Sequence, residues 1–231
     1  MVTVLILSAS VLVNFYLNEP GWSKSFRSRV LIFGILWICF GLVSEDLLEA
    51  TGLFERMDSW AHARLGTNVA MGLVPHFWDT IPSGNKAYGA YLSLVFTIGA
   101  YVPGARALNA FLGFWGGLAL ASNLRPFLSF EKHRELLMTA FIFFPSTVFW
   151  TSNNLKEGLT YWGVALIFSA ALPAGPRRTA SALLLVPGIV TAGLMRPHVC
   201  LAAISSVATI NLLRRGHTAF AILTLPVVPL L

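Results

Sequence analysis

The stretch VLIFGILWICFGLV, Val30 to Val43, decides the fold. It carries no charged side chain. Lys24, Arg27 and Arg29 precede it, and Glu45, Asp46 and Glu49 follow it. Eight further stretches of the same kind run almost end to end: Thr3–Leu17, Tyr88–Val102, Ala107–Leu124, Leu136–Trp150, Leu159–Pro173, Ser181–Met195, Val199–Leu213 and Ala219–Leu231. None contains Asp, Glu, Lys or Arg. A bilayer core excludes charge and takes about 17–25 residues per helical crossing. Flanking Trp, Tyr and Ser extend the shorter stretches into the interface. The fold class predicted is all-α: a polytopic transmembrane helix bundle of about eight to nine membrane segments, with a large external loop over residues 44–87.

Composition agrees. Hydrophobic residues make up 56% of the chain and charged residues 11%, with mean hydropathy +0.71. Soluble domains carry about 25% charge. The apolar runs are continuous and lack the period-2 alternation of a barrel strand. Lipid leaves helices as the remaining way to satisfy the backbone. Cys39 and Cys200 both lie within apolar runs and read as small core residues, with no disulfide or metal framework. The first run has no basic start, and Asn18-Glu-Pro-Gly21 follows it in place of a small-residue cleavage site, so it reads as a retained helix. The final apolar run reaches the last residue, which fits a fragment or a last helix that stops at the membrane face. No internal repeat or separate soluble segment is visible, and residues 1–231 read as a single transmembrane domain.

The net charge of +6 does not point to nucleic acid. The cations cluster in a few gaps: Lys24, Arg27 and Arg29; Arg125, Lys132, His133 and Arg134; Arg177 and Arg178; Arg214 and Arg215. The positive-inside pattern places these on the cytoplasmic side. The gap Ser44–Ala87 differs. It sets Glu45, Asp46, Glu49, Glu55, Asp58 and Asp79 against Arg56, Arg64 and Lys86, and it holds Trp60, His62, His76 and Trp78. It is placed outside, and Thr151–Gly158 and Arg196–His198 follow it there. Two full crossings between an external 44–87 and an internal Arg125–Arg134 break parity. Either the long gap enters the membrane again, or one of the two stretches before Arg125 does not span. Leu47–Phe54 is a candidate interfacial helix, and the Gly113, Gly116, Gly117 region a candidate helix break.

Three constellations outside the spans can carry chemistry. In the first, Asp58 and His62 are four residues apart and share a helical face. A carboxylate beside an imidazole can act as base, metal ligand or substrate clamp, although the simpler account of the pair is a solvated surface helix. The second runs from Pro145 through Trp150 to Asn153, Asn154, Lys156 and Glu157. Asn154 and Glu157 have capping-box spacing, and Glu157 suits the first turn of a helix. Alternatively these four residues line a cavity at membrane level, where Lys156 meets a phosphate. The third is Arg196-Pro-His198, wedged between two apolar runs. A cation pinned there is costly unless it snorkels to headgroups or meets an anion, and the guanidinium fork suits a phosphate. No Gly-rich phosphate loop, H-E-x-x-H or G-x-S-x-G is present.

These gaps, in this order, resemble the GT-C superfamily of membrane glycosyltransferases, mannosyltransferase-like enzymes that take a sugar from a polyprenyl- or dolichyl-phosphate carrier. Their first large external loop typically carries D-x-x-x-Y and then a small residue. Asp58-Ser-Trp-Ala-His62 followed by Gly66 is similar, with His in place of Tyr. A later stretch of the family runs Pro, apolar residues, Ser and an acidic residue opening a helix, which Pro145, Ser152 and Glu157 resemble. The turn at Arg196 resembles positions that meet the carrier phosphate. The likeness covers roughly residues 44–200. The chain departs from the pattern in lacking a second carboxylate beside Asp58, in carrying an extra preceding helix, and in being much shorter.

The resemblance implies transfer of a sugar from a polyprenyl-phosphate-linked donor to an acceptor on the external face. Asp58 would be the base or metal-linked carboxylate. His62 and Glu157 would orient acceptor or metal. Lys156 and Arg196 would neutralise the departing lipid phosphate, with Asn153, Asn154 and His198 beside them. A divalent metal ion is the one cofactor left open. The expected partners are the lipid-linked donor and membrane lipid, with no nucleic acid, and the expected location is a bacterial plasma membrane. Two rivals stand beside this one: a polysaccharide polymerase or ligase, and a non-enzymatic transporter or scaffold subunit.

Overall fold

The computed structural model describes residues 9–10, 22–51, 58–73, 83–98, 102–124, 134–153, 155–172 and 183–216. Among these are nine helices and no strand: α1 Lys24–Ala50, α2 Asp58–Ala70, α3 Ser83–Thr97, α4 Val102–Leu124, α5 Arg134–Ile142, α6 Pro145–Thr151, α7 Glu157–Ala171, α8 Leu185–Met195 and α9 Pro197–Arg214. Most of Thr3–Leu17 and all of Ala219–Leu231 lie outside the described residues, as do Arg125, Lys132, His133, Arg177 and Arg178.

The charge-free core of α1 explains its length. Nothing within it breaks the helix, and Ser23 caps its start, its Oγ accepting from the Phe26 N–H at 3.1 Å. That start is tied to the start of α5. The Ser23 N–H donates to Glu135 Oε1 at 2.8 Å, and Arg29 lies 3.8 Å from Glu135. The far end of α1 meets a different group. Ser44 Oγ donates to the Ser152 carbonyl at 3.1 Å and to Asn153 Oδ1 at 3.3 Å. The bundle thus has two ends, one marked by Glu135 and one by the 152–157 turn.

α4 is the central post. It packs against α1, α5, α6 and α7, and small residues on its buried faces let the neighbours approach closely. A Cβ added at Gly113 would lie 2.5 Å from Thr151 Cβ, and one at Gly116 would lie 3.1 Å from the backbone of α7. The three glycines near its middle are packing sites, and α4 runs through them unbroken. At the lower half, Trp37 of α1 meets Phe114 and Phe143 edge-on, with ring centroids 5.7 and 5.9 Å away.

The stretch Leu136–Trp150 is broken, as its proline dictates. Pro145 lacks an N–H and sits at the first position of α6. α7 returns from Glu157 towards the Glu135 end, where Asn123 Nδ2 at the end of α4 donates to Ser169 Oγ at 2.8 Å. α8 packs back along α7 through Gly163, Gly188 and Ala192. α9 descends again, and Asn211 Nδ2 reaches the Ala171 carbonyl at 3.4 Å. α1, α4, α5–α6, α7, α8 and α9 therefore run alternately between the two ends.

α2 and α3 do not join this alternation. They pack on each other, with Gly66 set against Leu92 and Phe96. Tyr88, Leu92 and Val95 share one buried cluster with Ala105, Leu159 and Met195, all near the 152–157 end. The described part of Tyr88–Val102 before α4, which ends at Ile98, thus packs at that end, and a stretch that stays there restores parity. The gap 44–87 is also less of a loop than expected. α1 carries on to Ala50, and α2 lies inside the gap. Leu47–Ala50 continues α1 and forms no separate interfacial helix, while residues 52–57 lie outside the described ones.

Among the described residues, three helical segments are long and apolar enough to cross a membrane: Lys24–Ser44, Val102–Leu124 and Pro197–Arg214. Leu185–Met195 is apolar but shorter. Large apolar side chains stay exposed on the outer faces of α1 (Ile32, Ile35, Leu36), α8 (Val186, Val190, Leu194) and α9 (Leu201, Ile204, Leu213). A water-soluble monomer rarely leaves so much contiguous apolar surface bare, whereas a bilayer covers it.

Candidate functional site

The 152–157 end gathers a cluster of buried polar side chains. At its centre is Asn109, fully buried in α4. Its Nδ2 donates to Tyr88 Oη at 2.7 Å and to the Asn153 carbonyl at 3.0 Å. Its Oδ1 accepts from the Tyr91 hydroxyl at 3.2 Å. One side chain thereby joins α3, α4 and the turn after α6. Gly158 makes this possible, since a Cβ there would lie 2.8 Å from the Asn109 carbonyl oxygen. Nearby, Arg106 is 2% exposed, and it donates to the Leu42 carbonyl at 3.0 Å.

Asn153 is part of this scaffold. Its Nδ2 donates to the Phe149 carbonyl at 2.7 Å, its Oδ1 accepts from Ser44, and its side chain is buried. Lys156 is 9% exposed and stands at the N-cap of α7, with no side-chain cap bond there. α7 opens at Glu157, so Glu157 sits at the first helical position and does not complete the capping box expected with Asn154. Asn154 itself lies outside the described residues.

Glu157 and Arg196 meet. Arg196 Nη2 donates to Glu157 Oε1 at 2.6 Å, with the side chains 43% and 30% exposed. The local chain explains the meeting. Arg196 is both the last cap of α8 and the first cap of α9, with Pro197 at the first position of α9. Glu157 opens α7, and its other oxygen, Oε2, is buried without a hydrogen-bond partner among the described residues. Both side chains line a cavity of about 410 Å³ together with Trp150, Thr160, Tyr161 and His198. It opens between α6, α7 and the start of α9.

His62 belongs to the scaffold side. It is buried, edge-on to Tyr88 at 5.1 Å between centroids, with Nε2 3.4 Å from Asn85 Oδ1. Asp58 starts α2 one turn before His62; its side chain lies outside what is described. Five of the expected site residues fall into two groups, and Lys156, expected at the phosphate, is buried and is not among the residues that line the cavity. Glu157, Arg196 and His198 share a cavity. His62 and Asn153 share a buried network, linked to that cavity through Tyr88, Asn109 and the 153–157 turn. Among the described residues no group of three His, Cys, Asp or Glu side chains could hold a metal ion.

The hub residues Tyr88, Tyr91 and Asn109 were not among the candidates. Asn109 had a signal, a lone amide inside an otherwise apolar run, which lipid or a close-packed core tolerates only when it is paired. Comparison with family models, with curated proteins and with solved structures finds no match.

Proposed function

We propose that the protein is a membrane glycosyltransferase core, with about eight membrane segments, that transfers a sugar from a polyprenyl-phosphate-linked donor at its 152–157 end. The observation that carries this is the Glu157–Arg196 pair in the wall of a cavity. One carboxylate oxygen is held by a guanidinium, and the other is buried with no hydrogen-bond partner among the described residues. Hydroxyl-bearing Thr160 and Tyr161 and the broad ring of Trp150 line the same cavity, a mixture suited to a polar ring with apolar faces. The six alternating passages, with the apolar runs at the two ends of the chain, support the segment count. The Glu135 end is cation-rich, which the positive-inside pattern favours as cytoplasmic, and this supports an external 152–157 end.

In the reaction, the bond from the sugar's anomeric carbon to the phosphate oxygen breaks. A bond from the acceptor oxygen to that carbon forms. The acceptor's proton passes to a carboxylate, and the lipid phosphate leaves as an anion. Arg196 and His198 stabilise that anion as its charge develops. Arg196 exchanges Glu157 for phosphate, which frees Glu157 Oε1 beside Oε2 to take a hydroxyl proton or orient the acceptor. Asp58, at the head of α2 on the same end, is the alternative base.

Purified protein in vesicles, given a radiolabelled polyprenyl-phosphate sugar, tests this. Loss of a positioned base costs about 10²–10⁴-fold in rate. Glu157→Gln or Asp58→Asn should show such a loss while Asp46→Asn keeps activity. Wild-type protein that transfers no sugar from any such donor, or full activity in both variants, contradicts the proposal.

A further inference from the structure

The Glu135 end holds a second cavity, of about 560 Å³, between the last turns of α7 and α9. It is lined by Ala170, Ala171, Ala208, Asn211, Leu212, Arg214 and Arg215. No carboxylate stands among these residues. Arg214 and Arg215 are neighbours on a chain that turns about 100° per residue, yet both line the same cavity. The C-terminal dipole of α9 favours a cation near its last turn, but that field does not by itself bring two arginines to line one opening. Small side chains at Ala170, Ala171 and Ala208 keep the opening wide.

We infer that this cavity binds the phosphate of an anionic phospholipid headgroup. It rests on the membrane reading of the chain and is independent of sugar transfer. Guanidinium groups match phosphate oxygens in shape and charge, and basic pockets between membrane helices at the cytoplasmic face are suited to anionic headgroups. What favours a lipid over a free phosphate is the surface leading out of the cavity. Leu201, Ile204, Ala208, Leu212 and Arg215 follow one another at spacings of three or four residues along α9. They form one stripe from the cavity along the helix. Leu201 is 66% and Ile204 37% exposed. From Arg215 to Leu201 the helix rises about 21 Å, enough to lie beside an acyl chain whose phosphate sits between the arginines.

The full chain is purified into nanodiscs of phosphatidylcholine with one-fifth phosphatidylglycerol, and the retained lipid is counted by native mass spectrometry after release into detergent. Wild-type protein should keep phosphatidylglycerol at least tenfold above its share of the disc, and 10 mM inorganic phosphate should not displace it. R214A/R215A should lose the enrichment, and R64A, which alters an exposed cation on α2, should keep it. Ala208→Leu fills the cavity without altering charge and should also lose it, which covers the case of a double variant that fails to fold. Displacement by inorganic phosphate overturns the lipid assignment in favour of a soluble anion. Equal enrichment in wild type, R214A/R215A and Ala208→Leu overturns the site. Wild-type protein that never enters the discs overturns the membrane reading itself, a failure separate from both.

Discussion

Replacing Asn109 by Ala tests the scaffold that carries the site. Its side chain makes three hydrogen bonds to other elements, at 2.7, 3.0 and 3.2 Å. Interhelical hydrogen bonds in membrane proteins average about 0.6 kcal/mol each, so the bonds alone amount to roughly 2 kcal/mol. The Asn153 carbonyl and the two tyrosine hydroxyls then lose a buried partner, and each such loss adds to the cost. About 2–4 kcal/mol is expected in all. Asn123→Ala is the matched control, on the same helix. Its Nδ2 makes one bond to another helix, to Ser169 Oγ at 2.8 Å, and about 0.6 kcal/mol is expected. The assay is unfolding in mixed micelles by SDS titration, followed by far-UV circular dichroism. In Asn109→Ala, amide exchange should also rise in α2 and α3, which the hub ties to the bundle, before global unfolding. Equal destabilisation by the two variants, within about 0.5 kcal/mol, would refute the hub.

Other perturbations separate packing from chemistry. Gly158→Val places carbon 2.8 Å from the Asn109 backbone and should cost about 1–3 kcal/mol in the same titration, whereas Gly193→Ala, with its nearest atom at 3.8 Å, should cost little; equal effects would show that the α4–α7 approach is not tight. In a variant lacking Cys39 and Cys200, an impermeant thiol reagent should label cysteines placed at 134 and 157 from opposite sides of a vesicle, and labelling from the same side would defeat the two-ended bundle. Arg196→Ala should weaken polyprenyl-phosphate binding at least tenfold, with Arg196→Lys intermediate because the bidentate fork is lost; unchanged affinity in both would reduce Arg196 to an interface anchor.

What the sequence disclosed follows the strength of each physical signal. Charge-free runs located α1, α4, α7, α8 and α9, because lipid and close packing both exclude unpaired charge. The Arg196-Pro197 pair disclosed a turn between two runs, whereas Leu136–Trp150 reads as one run and Pro145, lacking an N–H, divides it into α5 and α6. Hydropathy could not disclose that α3, which holds most of Tyr88–Val102, packs at the 152–157 end. Its tyrosines count as apolar in composition, but their hydroxyls bond to Asn109, a fact of tertiary pairing. The glycines of α4 read as a candidate break, and the close neighbours at Thr151 and Tyr161–Trp162 show them to be contacts. The capping box failed for a related reason. Glu157 is drawn to Arg196, 39 residues away, and no local pattern carries that pairing. The pairing of Asp58 with His62 had a helical frame to rest on, and α2 supplies it, yet His62 turns to Tyr88 and Asn85 rather than to the cavity.

The most direct measurement of where the donor binds is photocrosslinking. A polyprenyl phosphate bearing a diazirine on the first isoprene unit is bound to the protein in vesicles, irradiated, and mapped by peptide mass spectrometry. The account predicts adducts on Pro145–Thr151, Glu157–Val164 or Arg196–Val199, competed by unlabelled polyprenyl phosphate and lost in Arg196→Ala. Adducts confined to the Glu135 end, or an unchanged pattern in Arg196→Ala, would contradict it.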